Sequence, residues 1–506
     1  MRLPAKYRKR NLCIKAFLFG MVSTLIPWST AFAQDAVDRQ ALQQALNDVD
    51  WMVGHFHQNS GIPGLSLSLG FGDSILLGKG YGKANIDADQ PVTNTTRFRM
   101  SDVTTLFTAT AVMKLASQGN IDLDSDIRRY VPDFPQKRFP VTVRQLLSHT
   151  GGVTHFDFND YNRGKQHIKT LSKALNQFAA RPLKYEPGTV YHYSAFGYVL
   201  LGLAIEKASG MPYEKYIQDH VLAPLLIVDS YFEPEGNRPE NEAAFYNRVE
   251  RTPSLSAKRD FSYVKPAAGL YGTPAAVVKL LAAYWKGEVI PATEWVKMLR
   301  PAPQSRKEEQ KLAFDPAMGW RLTRADNQDL FFHMSGKTVG ATAAYVSSPR
   351  YGLHLSFMAN ARVESFPQHT LLSLLEPLKS VLKPSANTLN RPEFPCPVGS
   401  YEYRGNYNTE FTKGTMILSQ ADGRCSGTID TPGQMTNTFL EQGAPTPNKL
   451  QLIYLSHTDD IAKFAVVTPI GIFTVPFTGR EDGMKGDMII HNTARWTISA
   501  ILDTAE

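Results

Sequence analysis

Cysteine is scarce: three residues, at 13, 396 and 425, with no Cys-x-x-Cys pair and no His-rich spacing beside them. That excludes a thiolate metal site of the usual spacing and a disulfide-dense scaffold, and no cofactor is expected. Long hydrophobic runs are missing as well. The longest, "AFLFGMVSTLIPWSTAFAQ" at 16–34, falls short of the ~20 apolar residues that cross a bilayer and is broken by Pro27. No internal repeat or low-complexity tract marks a solenoid or a disordered tail. Charge is nearly balanced once its placement is considered. The formal net charge is +7, but Arg2, Lys6, Arg8, Lys9, Arg10 and Lys15 all precede that apolar run. Beyond residue 33 there remain 48 Lys and Arg against 47 Asp and Glu, which argues against a nucleic-acid partner.

What is present begins with that basic and apolar start, which ends in small residues at Ala31 and Ala33. It has the form of a secretory signal, so cleavage after Ala33 and a periplasmic or secreted mature chain without a transmembrane span are expected. Cys13 leaves with it. Cys396 and Cys425 then form an even pair, read as a disulfide in an oxidising compartment, with two reduced core cysteines as the alternative.

A chain of 506 residues exceeds the size of a single ordinary core, so two domains are expected. "AVDRQALQQALNDVDWMVGHFHQ" has helical spacing, and "IPGLSLSLGFGDSILLGKGYG" alternates like a hairpin. A helix is expected from near Asp102. Further helices are read in "TVRQLLSHTGG", "YSAFGYVLLGLAIEKASG" and "TPAAVVKLLAAYWKG", each stopped by glycine. Strands return in "FFHMSGKTVGATAAYVSSPRYGLHLSFMAN", before a helix in "HTLLSLLEPLKSVL". Residues 34–385 thus read as an α/β (α+β) domain with an antiparallel sheet and a helical part. A Pro- and Asn-rich linker at 386–396 leads to short alternating runs at 397–506, a small antiparallel β-barrel-like domain.

The blocks "IDLDSDIRRYVPDFP", "VTVRQLLSHTGGV", "KYEPGTVYHYSAFGYVLLGLAIEKASGMPY", "AAGLYGTPAAVVKLL" and "GATAAYVSSPRYGLHLSFMAN" stand in an order that resembles the serine β-lactamase and penicillin-binding-protein family. The likeness is strongest to class C β-lactamases, D-alanyl-D-alanine carboxypeptidases, related esterases and the mitochondrial serine β-lactamase-like protein. It implies a serine at a helix N-terminus, a lysine one turn later that takes its proton, a Tyr-x-Asn segment, and a strand His-x-Gly or Lys-Thr-Gly closing the site.

Aligned on that pattern, "FRMSDVTTLFTA" puts Asp102 at the serine and Thr105 at the lysine. Tyr193 is retained, Ala195 replaces asparagine, and Met334, Ser335 and Gly336 occupy His-x-Gly. Lys337 and Thr338 are similar to Lys-Thr-Gly, but Val339 holds the glycine position. They are read as a turn, with Lys337 able to offer positive charge to a ligand carboxylate. Ser335, Gly336 and Lys337 would line the pocket. His333, one residue early, should leave from the opposite face of its strand. His149 is read as structural, Phe196 and Tyr198 as core, and Ser101 or Asp102 as a helix N-cap.

A carboxylate is a poor acyl acceptor, and threonine is no base near neutral pH. Without a nearby ammonium, Tyr193 has no reason to leave a pKa near ~10. The reading that follows is an inactive member of the family, binding a small peptide or peptidoglycan-like ligand in its old cleft. The competing reading is an active hydrolase of D-alanyl peptides, β-lactams or esters through Ser101, and a third is a scaffold that uses its β domain for contacts.

Overall fold

The computed structural model describes residues 38–157, 160, 167–235, 240–249, 252–304, 310, 312–324, 330–363, 367–382, 398–407, 410–421, 424–441, 444–458, 461–480, 483–490 and 494–502. The expected signal at 1–33, the linker and Cys396 lie outside them. Cys425 is disulfide-bonded. Residues from Asp38 onward form one compact unit.

Asp38 accepts hydrogen bonds from the Gln40 and Ala41 amides (2.9 and 3.2 Å) and starts helix α1, Arg39–Ser60. Gly61, at φ 68°, ends it in the left-handed conformation that costs glycine nothing. The expected hairpin follows as β1 (Gly64–Phe71) and β2 (Ser74–Asn85). β1 then pairs with a strand nearly three hundred residues away, β8 (Leu353–Ala359), in register from Leu65 opposite Ala359 to Phe71 opposite Leu353. The remaining strands are β3 (Gln90–Pro91), β4 (Asp315–Pro316), β5 (Arg321–Arg324), β6 (Leu330–Thr338) and β7 (Ala341–Ser348). Together they make one antiparallel sheet in the order β3-β2-β1-β8-β7-β6-β5-β4.

Strand alternation divides what this sheet carries. Leu69, Leu355, Val346, His333 and Phe331 are connected by direct pairing and share one face. Helix α6, Pro367–Val381, covers that face, with the Lys379 ammonium 4.4 Å from the Phe331 ring centroid. Gly70, His354, Ser347 and Phe332 share the other face, against helix α5, Pro274–Lys286. A methyl group on Gly70 would stand 2.6 Å from Val278 of that helix, so the close approach needs glycine there. Met334, Gly336 and Thr338 belong to this second face, toward the helical part.

The helical part is built around α2, Thr104–Ser117, whose side chains are buried from Thr104 through Met113. Such a helix is buried on all sides because it is surrounded, its threonines included, and its packing rather than an amphipathic stripe holds it. A single 3₁₀ turn, Ser101–Val103, leads into it. Around it stand α3 (Val143–Leu147), capped by Thr142 and Gln145 in a reciprocal capping box, and α4 (Ala195–Ser209), capped by the Ser194 hydroxyl. Glycine stops α4 at Gly210 and α5 at Gly287 as expected. α3 differs: it ends before its glycines, and His149 itself adopts a positive φ of 55°.

From Gly399 the chain forms β9 (Gly399–Tyr407), β10 (Glu410–Ala421), β11 (Arg424–Asp430), β12 (Lys449–Thr458), β13 (Ile461–Thr468), β14 (Gly471–Arg480), β15 (Gly483–Ile490) and β16 (Ala494–Leu502). Neighbours in sequence pair throughout, and β9 closes on β16 to complete an eight-stranded barrel. Helix α7, Gly433–Glu441, adds Met435 and Phe439 to the barrel core. The barrel leans on α6: Thr370 accepts from the Ile472 amide (3.0 Å), Thr474 donates to Ser373 (2.8 Å), and Lys463 donates to Glu376 (3.4 Å). Among the described residues no helix is long and apolar enough to cross a membrane.

Candidate active site

The site forms where the 3₁₀ turn before α2 meets β6. Gly336 presses on Asp102 so closely that a Cβ at 336 would lie 2.4 Å from the Asp102 amide nitrogen and 2.5 Å from its Cβ. Two residues that the sequence separates by more than two hundred positions are thus in contact. Gly336→Ala should destabilise the protein by about 2 kcal/mol, since the methyl would strike the amide nitrogen and Cβ of Asp102. Urea unfolding of the variant would check this, and an unchanged midpoint would contradict the packing.

Next to this contact, Ser101 adopts φ 49°, a left-handed conformation unusual for a residue with a side chain. Its hydroxyl is buried and shares a 2.8 Å hydrogen bond with the Thr338 hydroxyl. Neither Ser101 nor Asp102 caps a helix through its side chain, contrary to the expectation from residue type. The Thr105 hydroxyl donates back to the Asp102 carbonyl at 2.6 Å and is consumed there. Lys337 and Thr338 prove to be strand rather than turn, because β6 continues to Thr338 and the chain reverses at Val339 and Gly340. Ser335 and Lys337, both part-buried, alternate with Gly336 and leave from the other face of the strand.

Tyr193 enters from the segment preceding α4. Its hydroxyl approaches the Asp102 carboxyl closely enough for each to shift the other's ionisation, yet it makes no hydrogen bond of ordinary geometry. Burial raises the Asp102 carboxyl to about 6, against the lowering influence of Tyr193 and of the Arg321 guanidinium. Burial, and then the Asp102 charge, push the tyrosine well above its ordinary value. That is the reverse of what a proton-accepting tyrosine requires. Ala195 stands at the first position of α4, buried, with its amide donating to His155 Nδ1 at 3.2 Å. Met334 is buried in the main core. His333 lies on the opposite face, its Nε2 within 2.9 Å of the Thr323 hydroxyl.

Several groups of the site carry no motif. Arg321, from β5, donates through Nε and Nη2 to the Tyr191 hydroxyl (3.3 and 3.1 Å), and its guanidinium lies 4.7 Å from the Phe314 ring centroid. His149 packs its ring 4.4 Å from that of Tyr193 and accepts the Ser194 amide at Nδ1 (3.2 Å). Burial keeps it neutral, as it does His155, which is lowered to about 4. Phe196 stacks on Phe178 and Tyr198 donates to the Leu147 carbonyl, so both serve the core. Among the described residues no cluster of three His, Cys, Asp or Glu side chains is arranged to hold a metal.

A family model for beta-lactamase matches residues 49–375. The chain belongs to the beta-lactamase family. Among curated proteins it is 27% identical over 333 residues to Protein flp of Staphylococcus aureus (strain MRSA252), a match covering 63% of this chain and 64% of the relative. The chain therefore spans less than two thirds of that relative's length. Its fold is similar to that of an octameric penicillin-binding protein homologue from Pyrococcus abyssi: TM-score 0.58, 20% identity, 89% of this chain and 99% of the other. It is also similar to a D-amino acid amidase from Ochrobactrum anthropi SV3 complexed with L-phenylalanine amide, at TM-score 0.55 and 24% identity over 67% of this chain and 97% of that one. On the alignment drawn from the resemblance, the 3₁₀ turn and β6 carry the positions expected for the reacting hydroxyl and for the strand that closes the site. Here they bring a carboxylate.

Proposed function

We propose that this beta-lactamase-family protein is exported and works without acyl transfer, binding a peptide or cell-wall-derived ligand beside the paired 3₁₀ turn and β6. The observation that carries the reading is Asp102 pressed against Gly336. The two sides of the family's site remain in contact, while the nucleophile position holds a carboxylate, the lysine position holds a hydroxyl bound to backbone, and the tyrosine is held protonated. Losing one member of a catalytic set typically leaves only ~10³ to 10⁴ of residual acceleration over water, and here both nucleophile and base are replaced. Binding is supported by the edge of β6. The β5 ladder along it runs only from Leu330 to His333. An extended peptide can add its backbone to such an edge.

Ser101 gains no support as a substitute nucleophile, since its buried hydroxyl is taken up in a hydrogen bond with Thr338. The test is intact mass after exposure to a penicillin and, separately, a fluorophosphonate, on the unmutated protein and on an Asp102→Ser/Thr105→Lys double variant. No adduct is expected on the unmutated chain. A stoichiometric adduct on any of its serines would overturn the non-catalytic reading.

A further inference from the structure

We infer that a surface cavity in the helical part, distinct from the Asp102–Gly336 contact, binds a free α-amino acid with an apolar side chain, the ligand carboxylate on Lys265 and its ammonium on Glu206. The inference is independent of how the Asp102 site works. The cavity has a volume of about 460 Å³ and lies between residues 168–172, the turn that follows α4, and Lys265. That volume falls in the ~300 to 1,000 Å³ range of small-molecule sites. The first ground is the set of charges on one wall. Glu206, near the end of α4, accepts the Tyr213 amide at Oε1 (3.0 Å). The next residue, Glu214, accepts from the Lys265 ammonium, so the three side chains stand together. Lys265 is buried, its side chain 5% exposed, and an ammonium so far out of water is stable only when its donors are met. It has three N–H groups, and among the described residues Glu214 is its one hydrogen-bond partner. Glu206 has no ion-pair partner among the described residues, and burial raises its carboxyl above the ordinary value despite the Tyr213 amide and the charge of Lys265. The wall thus offers N–H groups that lack acceptors and a carboxylate that has no cation of its own.

The second ground is exclusion. An anion alone would meet two carboxylates on this wall, and a cation alone would meet the Lys265 ammonium. A zwitterion gives each group its opposite within one small molecule. Its carboxylate supplies acceptors to Lys265, and its ammonium donates to Glu206. The third ground is the rest of the lining. Ile168, Leu171 and Met211 present apolar surface, which suits an aliphatic side chain whose burial adds affinity without directional demands. Lys169, at the exposed rim, is paired with Glu235 at 3.1 Å and so leaves the balance of charge on the wall unchanged.

The experiment is calorimetric titration of the full mature protein at neutral pH with both enantiomers of leucine and with isoamylamine and isocaproate, which each keep one of its two charges. At least one enantiomer should bind saturably, with a Kd below about 1 mM, and each singly charged analogue should bind about tenfold more weakly or worse. Glu206→Gln, which keeps an acceptor for the Tyr213 amide, should weaken leucine by about tenfold. The inference is overturned if neither enantiomer binds, if either analogue matches leucine on the unmutated protein, or if Glu206→Gln binds leucine as well as the unmutated protein does. Should that variant fail to fold, the analogues on the unmutated protein still decide the outcome.

Discussion

Asp102→Asn should make the protein more stable, by on the order of 3 kcal/mol at pH 8, with a rise of several degrees in Tm. The carboxyl has an ordinary value of 3.8 and is raised to about 6, chiefly by burial. The folded protein therefore binds a proton more readily than the unfolded chain between those two values. Its stability falls as pH rises through that window, and above about 6 the whole cost of the buried charge is carried. Asparagine keeps the shape and removes the charge. The gain should vanish when the same comparison is made near pH 3, where both states of Asp102 are protonated. Thermal unfolding at the two pH values decides it, and an Asn variant that is equally or less stable at pH 8 would show that the carboxylate is no burden. A residue that weakens the fold at the centre of its own cleft is the signature expected of a binding group rather than a packing one.

Acid should act in the opposite direction elsewhere, and more strongly. His354 is fully buried between β8 and α5, with its Nδ1 2.7 Å from the Ser347 hydroxyl, and burial lowers it to about 3 from 6.5. The unfolded chain takes up a proton as pH falls through 6.5, whereas the folded chain does not do so until about 3. The stability from neutral His354 is present in full above 6.5 and is lost progressively as pH falls toward 3. Between pH 7 and pH 4.5 this one side chain should account for a loss of about 3 kcal/mol. His155, lowered to about 4, adds to it. Urea unfolding at both pH values should show a marked decline for the unmutated protein and a shallower one for His354→Asn, whatever the variant's stability at pH 7. Equal slopes would remove His354 as the cause.

Much of this architecture was legible in the residues because it rests on local rules. The hairpin at 64–85 alternates, α4 and α5 end in glycines with positive φ, and the order of the five sequence blocks pointed to the fold. What stayed hidden depends on contacts distant in sequence. Arg321 sits in a short strand with no pattern to announce it, and only the folding of β5 beside β6 brings its charge to Asp102. The hydroxyl of Ser101 was free in sequence to serve as cap or nucleophile. Its partner Thr338 is more than two hundred residues away, and local propensity cannot report such a pairing. Lys337 and Thr338 read as a turn because Val339 holds the glycine position of Lys-Thr-Gly, and the sheet overruled that reading by carrying β6 to Thr338.

The two outermost strands of the large sheet, β3 and β4, are each two residues long, and each ends in proline, Pro91 and Pro316. Proline has no amide hydrogen to offer a neighbouring chain, and so short a border gives an incoming strand little to grip. The barrel, being closed, has no border at all. Sheet growth from molecule to molecule, the route to fibrils, is thereby obstructed at both margins.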